Sequence, residues 1–322
     1  MVGHWASTDH EVKTWRQKMR NTLLGILVLL SVMVLTLAQA EVTPIPWDLE
    51  VMNEVDEKYY IGEREYEDPS LHVVIEEGIF NDTVYLVARI SIQDPTQLRS
   101  YVTGNGKQIG TYSKYATDLA KHVNAVFAIS GDVANIDKNR KGTTRTGKHI
   151  TRAFTTYLAN ATGVLDILII DDQGDMTILP RCTEEDIAAF EGNIVSTYSF
   201  GPAIVLNGEQ ITDFSYRGTA YGANTKAQRI CIGQTGPLEY IAVYSAGPDQ
   251  RKPTDGKKCK GLTMTEFSDL VYSQGDVINA YNLDGGTSAW MVFRNERLNI
   301  YGNKGRNAID DIIYFASAWQ EE

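Results

Sequence analysis

Four polar segments of this chain contain glycine and adjoin short apolar runs, which is where binding and catalytic groups are commonly placed. The richest is residues 279–288, NAYNLDGGTS, in which an apolar run leads into Asn282 and Asp284. Their side chains point to the same side if the strand persists. The next two residues, Gly285 and Gly286, can turn their N–H groups toward one anionic oxygen. A plain hairpin turn is the alternative, since Asp-Gly is a hairpin signal.

A second carboxylate and two arginines extend the candidate chemistry. Asp132 follows the apolar run 126–129 and a glycine, although a turn in which it bonds its own backbone fits as well. Arg229 opens the apolar stretch RICIG, and burying it without a partner is costly. We therefore expect Arg229 either to face solvent or to pair with a carboxylate or phosphate. Arg306 is a second candidate anion clamp, because a guanidinium matches phosphate geometry.

Two further positions are candidates for contact with a ligand. Gly201, in SFGPA, could offer its backbone N–H to an anion, although a structural turn before the Asn207-Gly208 hairpin signal is the alternative. Ser288 supplies a hydroxyl directly after the glycine pair. Both positions border apolar runs that predict strands.

Known cofactor and metal motifs are missing from the sequence. It has no HExxH, GxSxG or P-loop pattern, and the histidines after residue 40 are not at metal-ligand spacing. We therefore predict no cofactor. Asp132 and Asp284 leave open a divalent cation such as calcium, because hard cations prefer carboxylate oxygens.

Charge argues against a nucleic-acid partner. The 322 residues contain 30 Lys and Arg against 41 Asp and Glu, for a net charge of −11. A nucleic-acid binder needs a basic face to displace phosphate counterions. The hydrophobic fraction of 43% is that of a globular protein. Three cysteines without a CxxC permit at most one disulfide, and the sequence does not say which pair.

The first forty residues predict an export segment. Basic residues precede the uncharged run 23–38, which ends in Ala-Gln-Ala. This arrangement is typical of a cleaved secretory signal. An uncleaved membrane anchor and a buried core helix are the alternatives. If the segment is a cleaved signal or an uncleaved anchor, the remaining chain lies outside the cytoplasm. Residues 41–57, rich in acids and proline, predict a linker, and residues 58–322 a single domain.

Strand signals dominate this domain. Strands are predicted at 83–92, 126–129, 164–170, 203–206, 230–232, 240–245, 277–281, 289–293 and 312–315. Helices are predicted after Ser113, from Thr183 to Gly192, and from the capping box Thr263–Glu266 to Gly275. Many strands with few scattered helices indicate an α+β fold around a mixed sheet.

The order of short segments resembles the phosphodiester glycosidase family. The matching pieces are YLVARISIQDP (85–95), AISGD (128–132), LDILIIDDQGD (165–175), YSFGPAIVLNGE (198–209), RICIGQTG (229–236), GLTMTEF (261–267), AYNLDGGTS (280–288) and DIIYF (311–315). The chain departs from the family's pattern at Ser130, where asparagine is usual, at Thr287, where a third glycine is usual, and at Pro248.

The resemblance implies hydrolysis of a sugar 1-phosphodiester on extracellular or cell-envelope glycoconjugates. Such a site needs cations or N–H donors for the phosphate and a carboxylate for water or an oxocarbenium-like centre. We assign Asp284 as the principal carboxylate and Asp132 as its partner. The phosphate and sugar contacts are assigned to Arg229, Arg306, Asn282, Gly285, Gly286, Ser288 and Gly201. The departures leave two alternatives open, a non-catalytic polysaccharide-binding protein and a metal-assisted phosphodiesterase.

Overall fold

The computed structural model describes residues 42–103, 113–132, 147–215, 222–299 and 307–321. They belong to one compact unit, Val42–Glu322. The predicted leader, residues 1–40, lies outside the described residues, as does Arg306. In the part that is described, none of the helices has the length and apolar character needed to cross a membrane.

Nineteen strands form the described part of the fold. They are β1 (Tyr60–Ile61), β2 (Glu65–Glu67), β3 (Leu71–Phe80), β4 (Thr83–Ile92), β5 (Leu98–Val102), β6 (Phe127–Ser130), β7 (His149–Arg152), β8 (Thr155–Ala159), β9 (Ile167–Asp171), β10 (Met176–Leu179), β11 (Ile194–Tyr198), β12 (Ala203–Leu206), β13 (Glu209–Gln210), β14 (Arg229–Gly236), β15 (Glu239–Ser245), β16 (Asn279–Asn282), β17 (Met291–Phe293), β18 (Glu296–Arg297) and β19 (Asp311–Phe315).

The strands assemble into four sheets. The largest has the order β1-β2-β3-β4-β15-β14-β16-β12-β13, and a five-stranded sheet has the order β18-β17-β6-β19-β5. A three-stranded sheet, β10-β9-β11, and the hairpin β7-β8 complete the set. Every strand pair among the described residues is antiparallel, which refines the expected mixed sheet.

Among the described residues, three α-helices accompany the sheets: α1 (Ala116–His122), α2 (Glu184–Ala188) and α3 (Met264–Tyr272). The predicted capping boxes open α2 at Thr183 and α3 at Thr263. The predicted cap of α1 is wrong: Tyr115 precedes the helix, and the hydroxyl of Ser113 instead donates to Asp310 at 2.6 Å. The α+β class is confirmed.

The main core lies between the two large sheets, and helices cover their outer faces. In β14, Ile230 and Ile232 face the main core, whereas Cys231 faces the layer that contains α3. In β19, Ile313 and Phe315 face the main core, whereas the alternate residues face the layer that contains α1. Covering both faces explains why these strands are apolar at almost every position.

Residues 42–56 carry no helix or strand, yet they are packed against the fold. Arg99 donates hydrogen bonds to the backbone carbonyls of Pro46, Trp47 and Leu49, at 3.1, 3.0 and 2.9 Å. The side chain of Met52 is buried in the same core cluster as α1. The segment that the sequence predicts as a linker is therefore held by the domain.

Candidate active site

A cleft of about 210 Å³ lies where the loop after β16 passes the start of β14. Residues of the predicted segment 279–288 and the predicted Arg229 contribute to it, and Phe200 provides a third wall. The lining residues are Phe200, Gly222, Thr225, Ala227, Gln228, Arg229, Asn282, Leu283, Asp284, Gly285 and Gly286. The structure thus brings Arg229, Asn282, Asp284 and the glycine pair together, as their assignment to one site requires.

Asn282 ends the central strand β16 and joins two walls of the cleft. Its backbone N–H donates to the carbonyl of Pro202 at 3.0 Å, and its side-chain Nδ2 donates to the carbonyl of Gly201 at 2.8 Å. Asn282 is buried, and the peptide bond between Gly201 and Pro202 is cis. One N–H of the Asn282 amide therefore holds the Gly201 segment, which leaves the amide oxygen and the second N–H as groups for a ligand.

Asp284 is placed by backbone contacts on both sides of its loop. The N–H of Leu283 donates to the carbonyl of Ile230 at 2.9 Å, and that of Asp284 donates to the carbonyl of Gly131 at 3.4 Å. Asp284 is half-buried on the lining of the cleft. Its carboxylate is the negative group among the described lining residues.

The glycine pair brings two backbone segments together. A Cβ at Gly285 would lie 2.6 Å from the carbonyl oxygen of Gln228, a distance that real side chains do not reach. The N–H of Gly286 donates to that same carbonyl at 2.9 Å. The prediction that both N–H groups face an anion is therefore wrong for Gly286, because the carbonyl of Gln228, just before β14, already accepts from its donor.

Arg229 is buried, and it pairs neither with solvent nor with a carboxylate. Its Nε donates to the carbonyl of Leu262 at 3.0 Å, and its Nη2 to those of Gly222 and Thr225 at 3.0 and 2.7 Å. The expectation that Arg229 faces solvent is wrong, and among the described residues three backbone carbonyls rather than a carboxylate bond its Nε and Nη2, whereas pairing with a phosphate stays a prediction. Burial lowers the pKa of Arg229 to about 10, with Glu266 acting in the opposite direction, so the group is cationic at pH 7.

The donors of Arg229 are not all used inside the protein. Within the described part of the chain, Nη1 has no hydrogen-bond partner, and Arg229 lines the cleft. Arg229 is also the positive residue among the described lining residues. Anchoring by Nε and Nη2 fixes the orientation of the planar group, so that little side-chain entropy is lost when it binds an anion.

Asp132 lies behind the cleft and does not line it. Its carboxylate accepts from the backbone N–H of Ser199 at 2.7 Å and from Nζ of Lys148 at 3.5 Å. Only 3% of the Asp132 side chain is exposed. Since Ser199 precedes the lining residue Phe200, Asp132 supports the wall of the cleft from inside.

A buried ion pair that the sequence analysis missed lies next to Asp132. Nε and Nη2 of Arg152 donate to one oxygen of Asp311 at 3.0 and 2.5 Å, and that oxygen also accepts from the N–H of Asp132 at 3.2 Å. Burial alone would lower the pKa of Arg152, but the neighbouring carboxylates, Asp311 first, raise it. The signal in the sequence was weak, because Asp311 merely precedes an apolar run.

The remaining predicted residues are placed differently. Ser288 lies in a short 3₁₀ turn, where its hydroxyl accepts from Asn307 at 3.3 Å, and it does not line the cleft. Gly201 adjoins the lining residue Phe200 and has a φ of 64°. Arg306 lies outside the described residues.

One group of side chains in the described residues could hold a cation. The ligand atoms of Glu65, Glu67 and His72, on β2 and β3, lie within 4.8 Å of one another. The group includes neither Asp132 nor Asp284. The two carboxylates that the sequence analysis considered for calcium are therefore not gathered into such a cluster in the described part.

The chain belongs to the phosphodiester glycosidase family. The sequence profile of that family matches residues 123–316, which is 194 of the 322 residues. The match supports a glycosidase-type hydrolase and confirms the resemblance in the sequence. It spans β6 to β19 and therefore includes every lining residue of the cleft. A comparison with curated proteins found no match.

Two solved structures share the fold. The catalytic domain of zebrafish N-acetylglucosamine-1-phosphodiester alpha-N-acetylglucosaminidase, auto-inhibited by its pro-peptide, is 17% identical, with a TM-score of 0.59 over 77% of this chain and 84% of that one. A hypothetical protein from Synechocystis is 12% identical, with a TM-score of 0.54 over 76% of this chain and 62% of that one. At these identities the likeness shows the fold alone.

Proposed function

We propose that this protein hydrolyses a sugar 1-phosphodiester, releasing the free sugar and leaving a phosphomonoester on the partner. The observation that carries the proposal is that one carboxylate, Asp284, and one anchored cation, Arg229, line the same cleft. The family to which the chain belongs supports the same reaction.

Arg229 and Asp284 have separate roles in this hydrolysis. The C1–O bond of the sugar breaks, and the phosphate keeps the oxygen and the electron pair. Nη1 of Arg229 neutralises the charge of the phosphate, because a fixed donor in a partly dry site stabilises charge that develops there. Asp284 stabilises the oxocarbenium-like centre or takes a proton from the attacking water, whose hydroxyl bonds to C1.

Asp132 has a positioning role in this proposal. Both of its carboxylate oxygens accept hydrogen bonds inside the protein, from Lys148 and from the backbone of Ser199. A second catalytic carboxylate would need to reach the substrate, and Asp132 is not on the lining of the cleft. We therefore propose that it fixes the Ser199–Phe200 wall and that Asp284 acts as the single carboxylate of the described cleft.

The place of action and the substrate are part of the proposal. The basic, apolar and small-residue pattern of residues 1–40 supports action outside the cytoplasm, on cell-envelope or extracellular glycoconjugates. The zebrafish relative is named for an N-acetylglucosamine 1-phosphodiester. N-acetylhexosamine 1-phosphodiesters are therefore the first substrates to test.

The test is release of free sugar from UDP-N-acetylglucosamine and from a methylphospho-N-acetylglucosamine by the full-length protein. Asp284→Asn should lower turnover by at least a hundredfold without altering the melting temperature by more than a few degrees, since the side chain is half-buried and similar in size. Asp118→Asn, at an exposed position on α1, is the matched control and should retain wild-type turnover.

The products separate the alternatives. Binding of these compounds without release of sugar by the wild-type protein would favour the non-catalytic polysaccharide-binding protein. Release of a sugar phosphate that stops with a chelator would favour the metal-assisted phosphodiesterase. Wild-type turnover in Asp284→Asn would refute the assignment of that carboxylate.

A further inference from the structure

The positive charges of this acidic chain are concentrated in one short segment, residues 250–260, which we call the basic hairpin. Residues 251–260 contain five Lys and Arg against one acid, whereas the whole chain has 30 Lys and Arg against 41 acids. At the average frequency of the chain, ten residues would contain about one base. The basic hairpin is therefore a local positive surface on a protein that is negative overall.

The basic hairpin is fixed by its own backbone and by two buried residues at its base. The N–H of Cys259 donates to the carbonyl of Gln250 at 2.8 Å, and that of Lys252 donates to the carbonyl of Lys257 at 2.8 Å. Gln250 and Cys259 are buried, and Cys259 belongs to the main core. The positive side chains are thus carried by an ordered element, which lowers the entropic cost of binding.

Two carboxylates neutralise one part of this charge. Nζ of Lys260 lies 2.7 Å from Asp82, and Nζ of Lys252 lies 3.6 Å from Asp82 and 3.5 Å from Asp255. Lys257 lies 3.7 Å from Asp255, with 78% of its side chain exposed. These contacts hold the hairpin together and leave its other cations uncompensated.

The remaining cations are Arg251 and Lys258, which face each other in an antiparallel bridge across the hairpin. Both are exposed, and neither pairs with a carboxylate among the described residues. Nη1 of Arg251 donates to the carbonyl of Gly256 at 2.8 Å, which restrains the guanidinium. A guanidinium beside an ammonium suits a phosphate group, because the first offers a planar fork of donors and the second a compact charge.

Both ends of the basic hairpin adjoin the lining of the candidate cleft. At one end, the hydroxyl of Tyr244 lies 2.7 Å from Oε1 of Gln250 and 3.1 Å from Oε1 of the lining residue Gln228. At the other end, Leu262 follows the hairpin by two residues, and its carbonyl accepts from Nε of Arg229 at 3.0 Å. Since two residues span at most about 7 Å, the hairpin lies beside the cationic end of the cleft.

We propose that the basic hairpin binds further phosphate groups of the substrate, so that the substrate is a glycan with several phosphates rather than one isolated sugar 1-phosphodiester. The identity of this ligand as a substrate rests on the proposed function, whereas binding at the hairpin needs no turnover. Arg229 contacts the phosphate next to the bond that breaks, and Arg251 and Lys258 contact a phosphate farther along the glycan. A positive surface of this kind also speeds the encounter with a polyanion.

Inorganic polyphosphate is the probe for this site, titrated into the full-length protein by calorimetry at low and at raised ionic strength. We expect binding that weakens as salt is added, because exposed charges are screened. Arg251→Gln/Lys258→Gln should weaken binding about tenfold. Lys121→Gln/Arg181→Gln removes the same charge at exposed positions elsewhere, so it is the matched control and should bind as the wild type does.

A single variant keeps the test usable if the double variant does not fold. Lys258 makes no hydrogen bond or ion pair in the described part of the chain, so Lys258→Gln should fold and weaken binding about threefold. No binding by the wild type, unchanged binding in the hairpin variants, or an equal loss in the matched control would overturn the proposal. Binding of phosphatidylglycerol vesicles without binding of polyphosphate would also overturn it, in favour of a membrane surface.

The readouts separate this inference from the proposed function. Asp284→Asn should lose turnover and yet bind polyphosphate at least as tightly as the wild type, since it removes a negative charge. Release of sugar from UDP-N-acetylglucosamine without any binding of polyphosphate would overturn the hairpin site alone. Polyphosphate binding that depends on Arg251 and Lys258, without release of sugar from any phosphodiester, would refute the hydrolase and leave the anion site in place.

Discussion

Single residues of one chemical type take different roles here because their surroundings differ. Asp284 and Asp132 both follow apolar strands, and their backbones meet through the hydrogen bond from Asp284 N–H to the Gly131 carbonyl. Asp284 nevertheless lines a cleft, whereas the carboxylate of Asp132 is enclosed by protein donors. The sequence analysis assigned the two as partners on the family resemblance, but only packing decides which of them reaches a substrate.

The buried pair of Asp132 and Lys148 yields a prediction for stability. Asp132→Asn should lower the free energy of unfolding by about 3 kcal/mol, because Lys148 is then left charged and buried without its partner. Only 4% of the Lys148 side chain is exposed. The measurement is chemical denaturation at pH 7, with the exposed Asp118→Asn as the control.

A second variant separates the lost ion pair from other effects. The double variant Asp132→Asn/Lys148→Met removes both charges, so it should recover at least half of the lost stability. A single variant as stable as the wild type, or a double variant no better than the single one, would contradict this explanation.

At the scale of secondary structure, the sequence predicted well the strands and turns that local residues determine. It predicted poorly the features that depend on residues distant in the chain. The strand predicted at 83–92 is β4 without change, and the Asn207-Gly208 signal forms the turn between β12 and β13. Local chemistry decides such features, through capping oxygens and turn residues. Ser113 misled the prediction of α1 because its hydroxyl bonds Asp310, which is 197 residues away in sequence.

The contact between the β16 loop and β14 yields a prediction at the same scale. Gly285→Ala would place a methyl group 2.6 Å from the backbone oxygen of Gln228, so the loop that carries Asp284 must move away. We expect turnover of the sugar phosphodiester to fall at least tenfold, because displacing a catalytic group by about 1 Å is costly.

The neighbouring glycine is the matched control. A Cβ at Gly286 meets nothing within 4 Å, although φ is 61°. Gly286→Ala should therefore cost about 1 kcal/mol of stability through backbone strain, with a smaller effect on turnover. Turnover measured beside thermal melting distinguishes the two, and equal turnover in both variants would contradict the steric argument.

For the whole molecule, the sequence predicted the class and the family but not the topology. The spatial neighbours of β14 are β15 and β16, whose order no local pattern specifies. The same limit applies to the site. Asn282 and Asp284 were found from one segment, whereas the carbonyls that satisfy Arg229 come from 222, 225 and 262. The sequence cannot show which three backbone carbonyls accept from Arg229, because every residue has a carbonyl.

The cysteines provide a prediction for the folded molecule. Cys182, Cys231 and Cys259 are all buried and unpaired. Burial raises the pKa of the thiols of Cys182 and Cys231 to about 12 and raises that of Cys259 as well. Reaction with a thiol reagent at pH 8 should therefore be at least a hundredfold slower in the native protein than in denaturant.

A reducing agent is the control for this prediction. Because no disulfide joins these cysteines, dithiothreitol should leave the melting temperature unchanged, and three thiols should react per chain once the protein is unfolded. Fewer than three thiols in denaturant without reductant would show that a disulfide forms after all.

The position of β19 in its sheet affects how the protein is made. Asp311–Phe315 lies between β5 and β6, although both of these strands come much earlier in the sequence. Until a ribosome has added β19, the two flanking strands lack their shared partner, and the layer over α1 stays open. A chain truncated before Asp311 would therefore expose two strand edges and be prone to aggregate.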